Sequence, residues 1–325
     1  MATRARKRQR KIGTGDCDDG DNDAAGSGGV TTISVVPVPR PAEAPEAEAG
    51  TGAEEGVDYS RMEYWDKRYR EEVYVEWYCG FDHVRPLFER FIAKDSRVLE
   101  VGCGDKPLAW DLRAAGYTGK ICSFDFSPTV IERLLADKEG CDRAGLDHDV
   151  DFKALDARKL PFDNGSFDFV VDKGTVDAML CDGTGPGNAR ATCREAARAT
   201  ATGGWFVIVS HIHPSTAEGA MLMSEALVPG LYDSTAAREG REGGSGGGGA
   251  KEGEEEAFFW SVDVHCCGGE DEDDGEDEEG EEDKKSDGSG GPSVYMARKI
   301  ARRRTRSSAK GKGALREVPV RIHEY

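Results

Sequence analysis

Val98-Leu99-Glu100-Val101-Gly102-Cys103-Gly104 decides the fold of this 325-residue chain. An apolar run carrying one acid ends in a glycine turn, and Leu108 to Ala115 follows with helix-compatible spacing. Arg97 to Val101 is long enough for a buried parallel strand, and the two glycines let the backbone turn sharply and approach a ligand closely. A helix after such a turn aims its free N–H groups back at it. Taken alone, a Gly-x-Gly turn marks either a nucleotide site or a tight loop.

The alternation continues on both sides. Tyr59, Met62, Tyr64, Trp65 and Tyr69 crowd a short helix-compatible stretch, and Val84, Leu87, Phe88 and Phe91 share one face of a helix from His83 to Ile92. After the first strand come strands at Lys120 to Phe126, Val150 to Leu155, Phe167 to Asp172 and, past the Gly203-Gly204 turn, Trp205 to Ser210. Helices are expected between them, one capped by Ser127-Pro128 and one from Asn188 to Ala199. Strands alternating with helices mean an α/β fold with a parallel sheet. Ala217 to Leu227 is a further candidate helix, and Phe258 to Val264 and Ser293 to Ala297 are expected as the last two strands, paired antiparallel.

Composition sets the limits of that domain. Residues 1–56 lack a sustained apolar period and are expected as a disordered basic and low-complexity region; 57–300 is the expected domain, and 301–325 a basic tail. Low-complexity insertions are expected at about 237–256 and 268–291. Glu270 to Asp283 holds twelve carboxylates, and without them the formal charge of −19 becomes −7. The acidity is mostly local. Nine cysteines with no Cys-x-x-Cys pair are expected as reduced thiols. No apolar run nears the ~18–20 residues a membrane helix needs, and no apolar stretch follows the basic start, so a soluble cytoplasmic protein is expected. The basic clusters, Arg4 to Lys11 and Arg298 to Lys312, permit a nucleus without requiring one. The front cluster has no interleaved aromatics, which argues against an RNA-binding surface.

In open α/β sheets ligands sit beyond the carboxyl ends of the strands, and each strand end here carries something usable. A dinucleotide fingerprint needs a third glycine where this chain has Pro107. Glu100 instead fits the acidic-x-Gly-x-Gly pattern of S-adenosylmethionine-dependent methyltransferases, although Lys106 stands where many of them have another glycine. Asp125, about twenty residues on, is either a ribose-binding carboxylate or a turn residue. Asp156-Ala157 either meets an adenine or caps the Arg158-Lys159 turn, and Phe126 can cover one face of the base.

Tyr64-Trp65-Asp66-Lys67-Arg68-Tyr69, Glu100-Val101-Gly102-Cys103-Gly104, Asp156-Ala157-Arg158-Lys159-Leu160 and Asp172-Lys173-Gly174-Thr175-Val176-Asp177-Ala178 occur in that order. Over about residues 59–215 the chain resembles the eukaryotic methyltransferase-like group that includes elongation factor 1A lysine methyltransferases. The resemblance implies a Rossmann-like class I fold, a seven-stranded mostly parallel sheet with an antiparallel closing hairpin and helices on both faces. It implies S-adenosyl-L-methionine as cofactor, held by Glu100, Gly102, Gly104, Asp125, Phe126, Asp156, Ala157 and Lys173, with Trp65, Tyr69 and Trp77 folded over it. A protein substrate methylated on lysine is implied too, a basic translation-related protein among the candidates.

Small-molecule N- or O-methylation and a non-catalytic cofactor-binding scaffold are the competing readings, because fold and cofactor motifs do not choose the acceptor. Asp172 and Asp177 are candidates to orient the acceptor or take its proton, and Asp177 is equally a helix cap. His211 and His213 could each touch the acceptor. No carboxylate or cysteine at suitable spacing makes them a metal set, so no metal is expected.

Overall fold

The computed structural model describes residues 30–35, 59, 61–71, 76–143, 149–181, 185–239, 258–266, 291–301 and 318–324. The front basic cluster, the acidic tract Glu270 to Asp283 and most of both expected insertions lie outside the described residues. None of the described helices is long and apolar enough to cross a membrane.

Nine strands form one sheet: β1 Val30–Val35, β2 Val98–Val101, β3 Ile121–Asp125, β4 Val150–Ala154, β5 Phe167–Lys173, β6 Thr200–Ser210, β7 Phe258–Cys266, β8 Ser293–Ala301 and β9 Val318–Glu324. Their spatial order is β1-β9-β7-β8-β6-β5-β2-β3-β4. From β6 to β4 neighbouring strands run parallel, and β8 lies antiparallel between β6 and β7. The expected seven-stranded arrangement with its closing hairpin is therefore present, and two further strands extend it. β9 pairs parallel with β7, and β1 pairs antiparallel with β9. Both come from segments expected as tails, where six or seven β-prone residues stand in low-complexity surroundings. An otherwise open edge at β7 supplies the pairing for β9, whose far edge in turn pairs with β1.

Helices cover both faces. α1 Met62–Glu71, α2 Phe81–Phe91, α3 Leu108–Ala114 and α4 Pro128–Arg143 precede β4, and α5 Thr175–Leu180 and α6 Gly187–Ala199 follow β5. α7 Ala217–Met221 runs through a π-helical turn, Leu222–Leu227, into α8 Val228–Glu239. Successive strand residues enter opposite cores: Val98, Ile121, Phe169 and Val171 pack with Phe88, Leu112 and Leu134, while Leu99, Phe124, Val170 and Phe206 pack with Val176, Ala196 and Leu231. A sheet buried on both faces reads as continuous apolar runs.

Two details depart from the sequence reading. β6 starts at Thr200, before the glycine pair, and its pairing with β5 shifts register between Phe167 and Phe169. A Cβ on Gly204 would lie 2.5 Å from the Asp168 carbonyl, so the pair serves close strand contact. Lys299, read in the sequence as part of the second basic cluster, is buried on β8 and donates to the carbonyls of Thr200 and Ala197 at 2.7 and 3.1 Å.

Register brings the strand ends together. Val101 lies beside Phe124 and Asp172, and Lys173 beside Val209. The residues that follow β2, β3, β5 and β6 therefore converge at one edge.

Candidate active site

At that edge lies a cavity of about 360 Å³. Gly102 and Gly104 form its floor with φ of +62° and +58°, a left-handed backbone that glycine alone adopts freely. A Cβ on Gly102 would fall 1.7 Å from Thr175 Oγ1, which bonds the carbonyls of Val101 and Gly102 at 3.3 and 3.4 Å. Thr175 thus fastens the start of α5 to the glycine turn.

Asp125 closes the turn from β3. Its Oδ2 accepts from Gly104 N and its Oδ1 from Ser127 N, both at 2.9 Å, and burial pushes its pKa up to about 6. The carboxylate lines the cavity with its remaining lone pairs available to hydroxyl donors. Phe126, Asp156 and Ala157 stand beside it. Asp156 Oδ1 accepts from Arg158 N at 2.9 Å, and the Arg158 guanidinium grips both carboxylate oxygens, which holds the pKa of Asp156 low. The turn-capping role foreseen for Asp156 is present. Arg158 also lies 5.7 Å from the centre of the Phe126 ring.

Glu100 corrects the expectation placed on it. Its carboxylate is 3 % exposed, faces away from the cavity, and accepts from Leu108 N at 2.6 Å, Ala109 N at 3.2 Å and Ser123 Oγ at 2.7 Å. It satisfies the N-terminal amides of α3, where Pro107 brings no side-chain cap. Burial drives its pKa up to about 7 against the pull of those donors. Glu100 therefore shapes the turn from beneath and is not among the residues that line the cavity.

Aromatic residues wall the opposite side. Trp65 stacks on Tyr69 at 5.9 Å and meets Trp77 edge-on at 6.1 Å, while its Nε1 donates to the Tyr59 carbonyl at 2.8 Å. All four line the cavity, so the helical spacing of Trp65 and Tyr69 does put them on one inward face. Lys173 also lines it, paired with Glu76 and directed at the Trp77 and Cys79 carbonyls. That lysine ties residues 76–79 to the end of β5.

Asp172 and Asp177 differ from the sequence reading and from each other. Asp172 is fully buried beneath the start of α5, accepts from Val176 N at 3.3 Å, and leaves Oδ2 without a partner. Burial and the Asp177 charge raise its pKa far above the usual carboxylate range. It is not among the residues that line the cavity. Asp177 touches the wall but is 1 % exposed, its oxygens occupied by Ser210 Oγ, His211 N and His211 Nδ1. Sequence reasoning missed Tyr78, which has a φ of 63° and lies over His211 with ring centres 4.9 Å apart. Nothing in a Trp77-Tyr78-Cys79 run announces a left-handed tyrosine.

A sulfonium nucleoside fits the residues present: a glycine floor that any Cβ would obstruct, a buried carboxylate facing ribose hydroxyls, and aromatic faces for a cation. Among the described residues no group of three or more His, Cys, Asp or Glu side chains could hold a metal ion.

Residues 92–239 match the family described as a methyltransferase domain. The mouse protein named EEF1A lysine methyltransferase 4 is 30% identical over 172 residues, covering 50% of this chain and 65% of that one. The zebrafish (Danio rerio) eEF1A lysine and N-terminal methyltransferase is 31% identical over 155 residues, 47% of this chain and 21% of its own. A solved SAM-dependent methyltransferase from Methanosarcina mazei is 24% identical with a TM-score of 0.33, covering 38% of this chain and 57% of that one. The chain thus spans less than two thirds of the length of each of these relatives.

Proposed function

We propose that this chain, whose residues 92–239 match a methyltransferase-domain family, transfers a methyl group from S-adenosyl-L-methionine to a protein lysine. The observation that carries the reading is the cavity formed by the glycine turn, Asp125 and the aromatic wall. The relatives' names, which include eEF1A as the protein methylated, support a translation factor as the substrate.

The cofactor supplies an electrophilic methyl on sulfonium. The chain's part is to hold nucleophile, methyl and sulfur in line, since effective molarity supplies much of the rate in such a displacement. Asp125 takes the ribose hydroxyls, Phe126 and Ala157 border the base, and Gly102 and Gly104 admit the methionine portion close to the backbone. Trp65, Tyr69 and Trp77 cover the site and exclude water, with Lys173 holding Trp77 in place through residues 76–79.

Incubating the chain with labelled S-adenosylmethionine and a eukaryotic cell extract tests this. Label is expected in protein, on lysine after digestion. Label confined to metabolites would favour the small-molecule reading, and tight donor binding without turnover the scaffold.

A further inference from the structure

Past the aromatic wall, where β5 and β6 end, the cavity is lined by a group of side chains with no part in holding a nucleoside: Tyr78, Asp177 and His211. Resting on the protein-lysine reading above, we propose that His211 takes the proton from the incoming lysine ammonium, with Asp177 positioning its ring.

The geometry singles out His211 rather than either aspartate. Asp177 Oδ2 lies 2.9 Å from His211 Nδ1 and accepts from His211 N at 3.1 Å, so the imidazole carries its hydrogen on Nδ1. That tautomer leaves a lone pair on Nε2, which no described residue engages. Ser210 Oγ donates to Asp177 as well, at 2.8 Å, and fixes the carboxylate. The side chain of His211 is 57 % exposed, whereas that of Asp177 is 1 % exposed. Only the histidine can meet an acceptor.

Tyr78 holds the ring from its other side at 4.9 Å, with its hydroxyl against Asp177. Its left-handed backbone is a strained conformation that persists where the surroundings impose it. Gly174 makes room for it: with φ +86°, a Cβ there would lie 3.0 Å from the Tyr78 ring. A residue merely capping β6 would need none of this.

The titratable groups around His211 are Asp177 from α5, Cys181 just after it, Asp172 beneath them, Tyr78 above, and Tyr295 from β8, whose hydroxyl donates to the Ile212 carbonyl. Asp177 dominates and raises the imidazole pKa above 6.5. A lysine of pKa ~10.4 needs about 4–5 kcal/mol to lose its proton at neutral pH, and a base that titrates near the working pH suits that transfer.

In the step, an N–H bond of the ammonium breaks and the proton passes to Nε2, giving an imidazolium paired with Asp177. The freed nitrogen lone pair forms the N–C bond as the C–S bond breaks, its electron pair going to sulfur. The imidazolium then returns its proton to solvent. Charge and atoms balance with no further reactant.

The test uses the full chain and the lysine acceptor found by labelling. For His211→Ala, calorimetric binding of S-adenosylmethionine is expected within about threefold of wild type, because the residue lies outside the donor half. Its kcat/KM is expected to fall about 100-fold or more, lose the acidic limb of the pH profile, and recover with added imidazole. In Asp177→Asn the limb moves to lower pH, since the charge that favours imidazolium is gone. His213→Gln, whose ring bonds Ser215 away from the cavity, is expected to match wild type. A His211→Ala enzyme with an unchanged pH profile, or one whose loss follows lost donor binding, overturns the proposal. Wild-type protein that labels no lysine overturns the protein-lysine reading instead, and that result is seen before any variant is made.

Discussion

The two ends of the cavity are built in different ways. At the donor end, under β2 and β3, the turn is backbone and short side chains locked by neighbours: Gly104 N on Asp125, Thr175 on the glycine turn, and Glu100 beneath it on the first amides of α3. At the acceptor end the groups are long side chains from α5, the end of β6 and the 76–80 segment, with His211 half in solvent. Binding a common donor demands a rigid, preorganised surface, whereas meeting a protein side chain demands access.

The difference can be attacked from the donor side first. Gly102→Val forces a branched side chain into a left-handed backbone and into Thr175, and the two effects together should cost about 2–6 kcal/mol of stability. Urea unfolding checks this; a loss under 1 kcal/mol would show the turn to be adaptable. Glu100→Gln should cost about 1–3 kcal/mol, because one of the donors that meet the carboxylate then faces an amide NH₂. Stability should fall more than donor affinity does, and the reverse result would return Glu100 to the list of ligand contacts.

A pH series sharpens the comparison. Asp125 in the free protein protonates at about 6, well above its ordinary 3.8, because it is buried. Ribose hydroxyls donate to the ionised form, so donor affinity should be flat above pH 6 and fall below it, by at most about tenfold per pH unit. Calorimetry from pH 5 to 8 reads this, and a flat profile would contradict it. The smallest effect is expected from Lys173→Met, which frees residues 76–79 and should weaken donor binding about three- to tenfold.

Much of the donor end was legible in the sequence because its constraints are local. A glycine whose φ must be positive, an acid two residues before it and a carboxylate at the end of the next strand keep fixed spacings whatever the loops do. The parallel sheet followed from strands alternating with helices. Glu100 was visible as a motif residue, but whether it faces the ligand or the helix amides depends on which side of β2 it occupies, and that is set by packing. The acceptor end was harder: Asp172 and Asp177 share one motif, yet one is sealed beneath α5 and the other is occupied by a histidine 34 positions away. Tyr78 owes its place to Gly174, nearly a hundred residues distant in the chain. β1 and β9 gave too short a pattern to be strands until β7 offered an edge.

Titrating S-adenosylmethionine into the full chain and into Asp125→Ala by calorimetry tests the central claim most directly. The account predicts saturable one-to-one binding by the wild type and a loss of about 10- to 100-fold in affinity for the variant, as expected for charge-assisted bonds worth roughly 1.5–3 kcal/mol. No binding by the wild type, or equal binding by both, would contradict it.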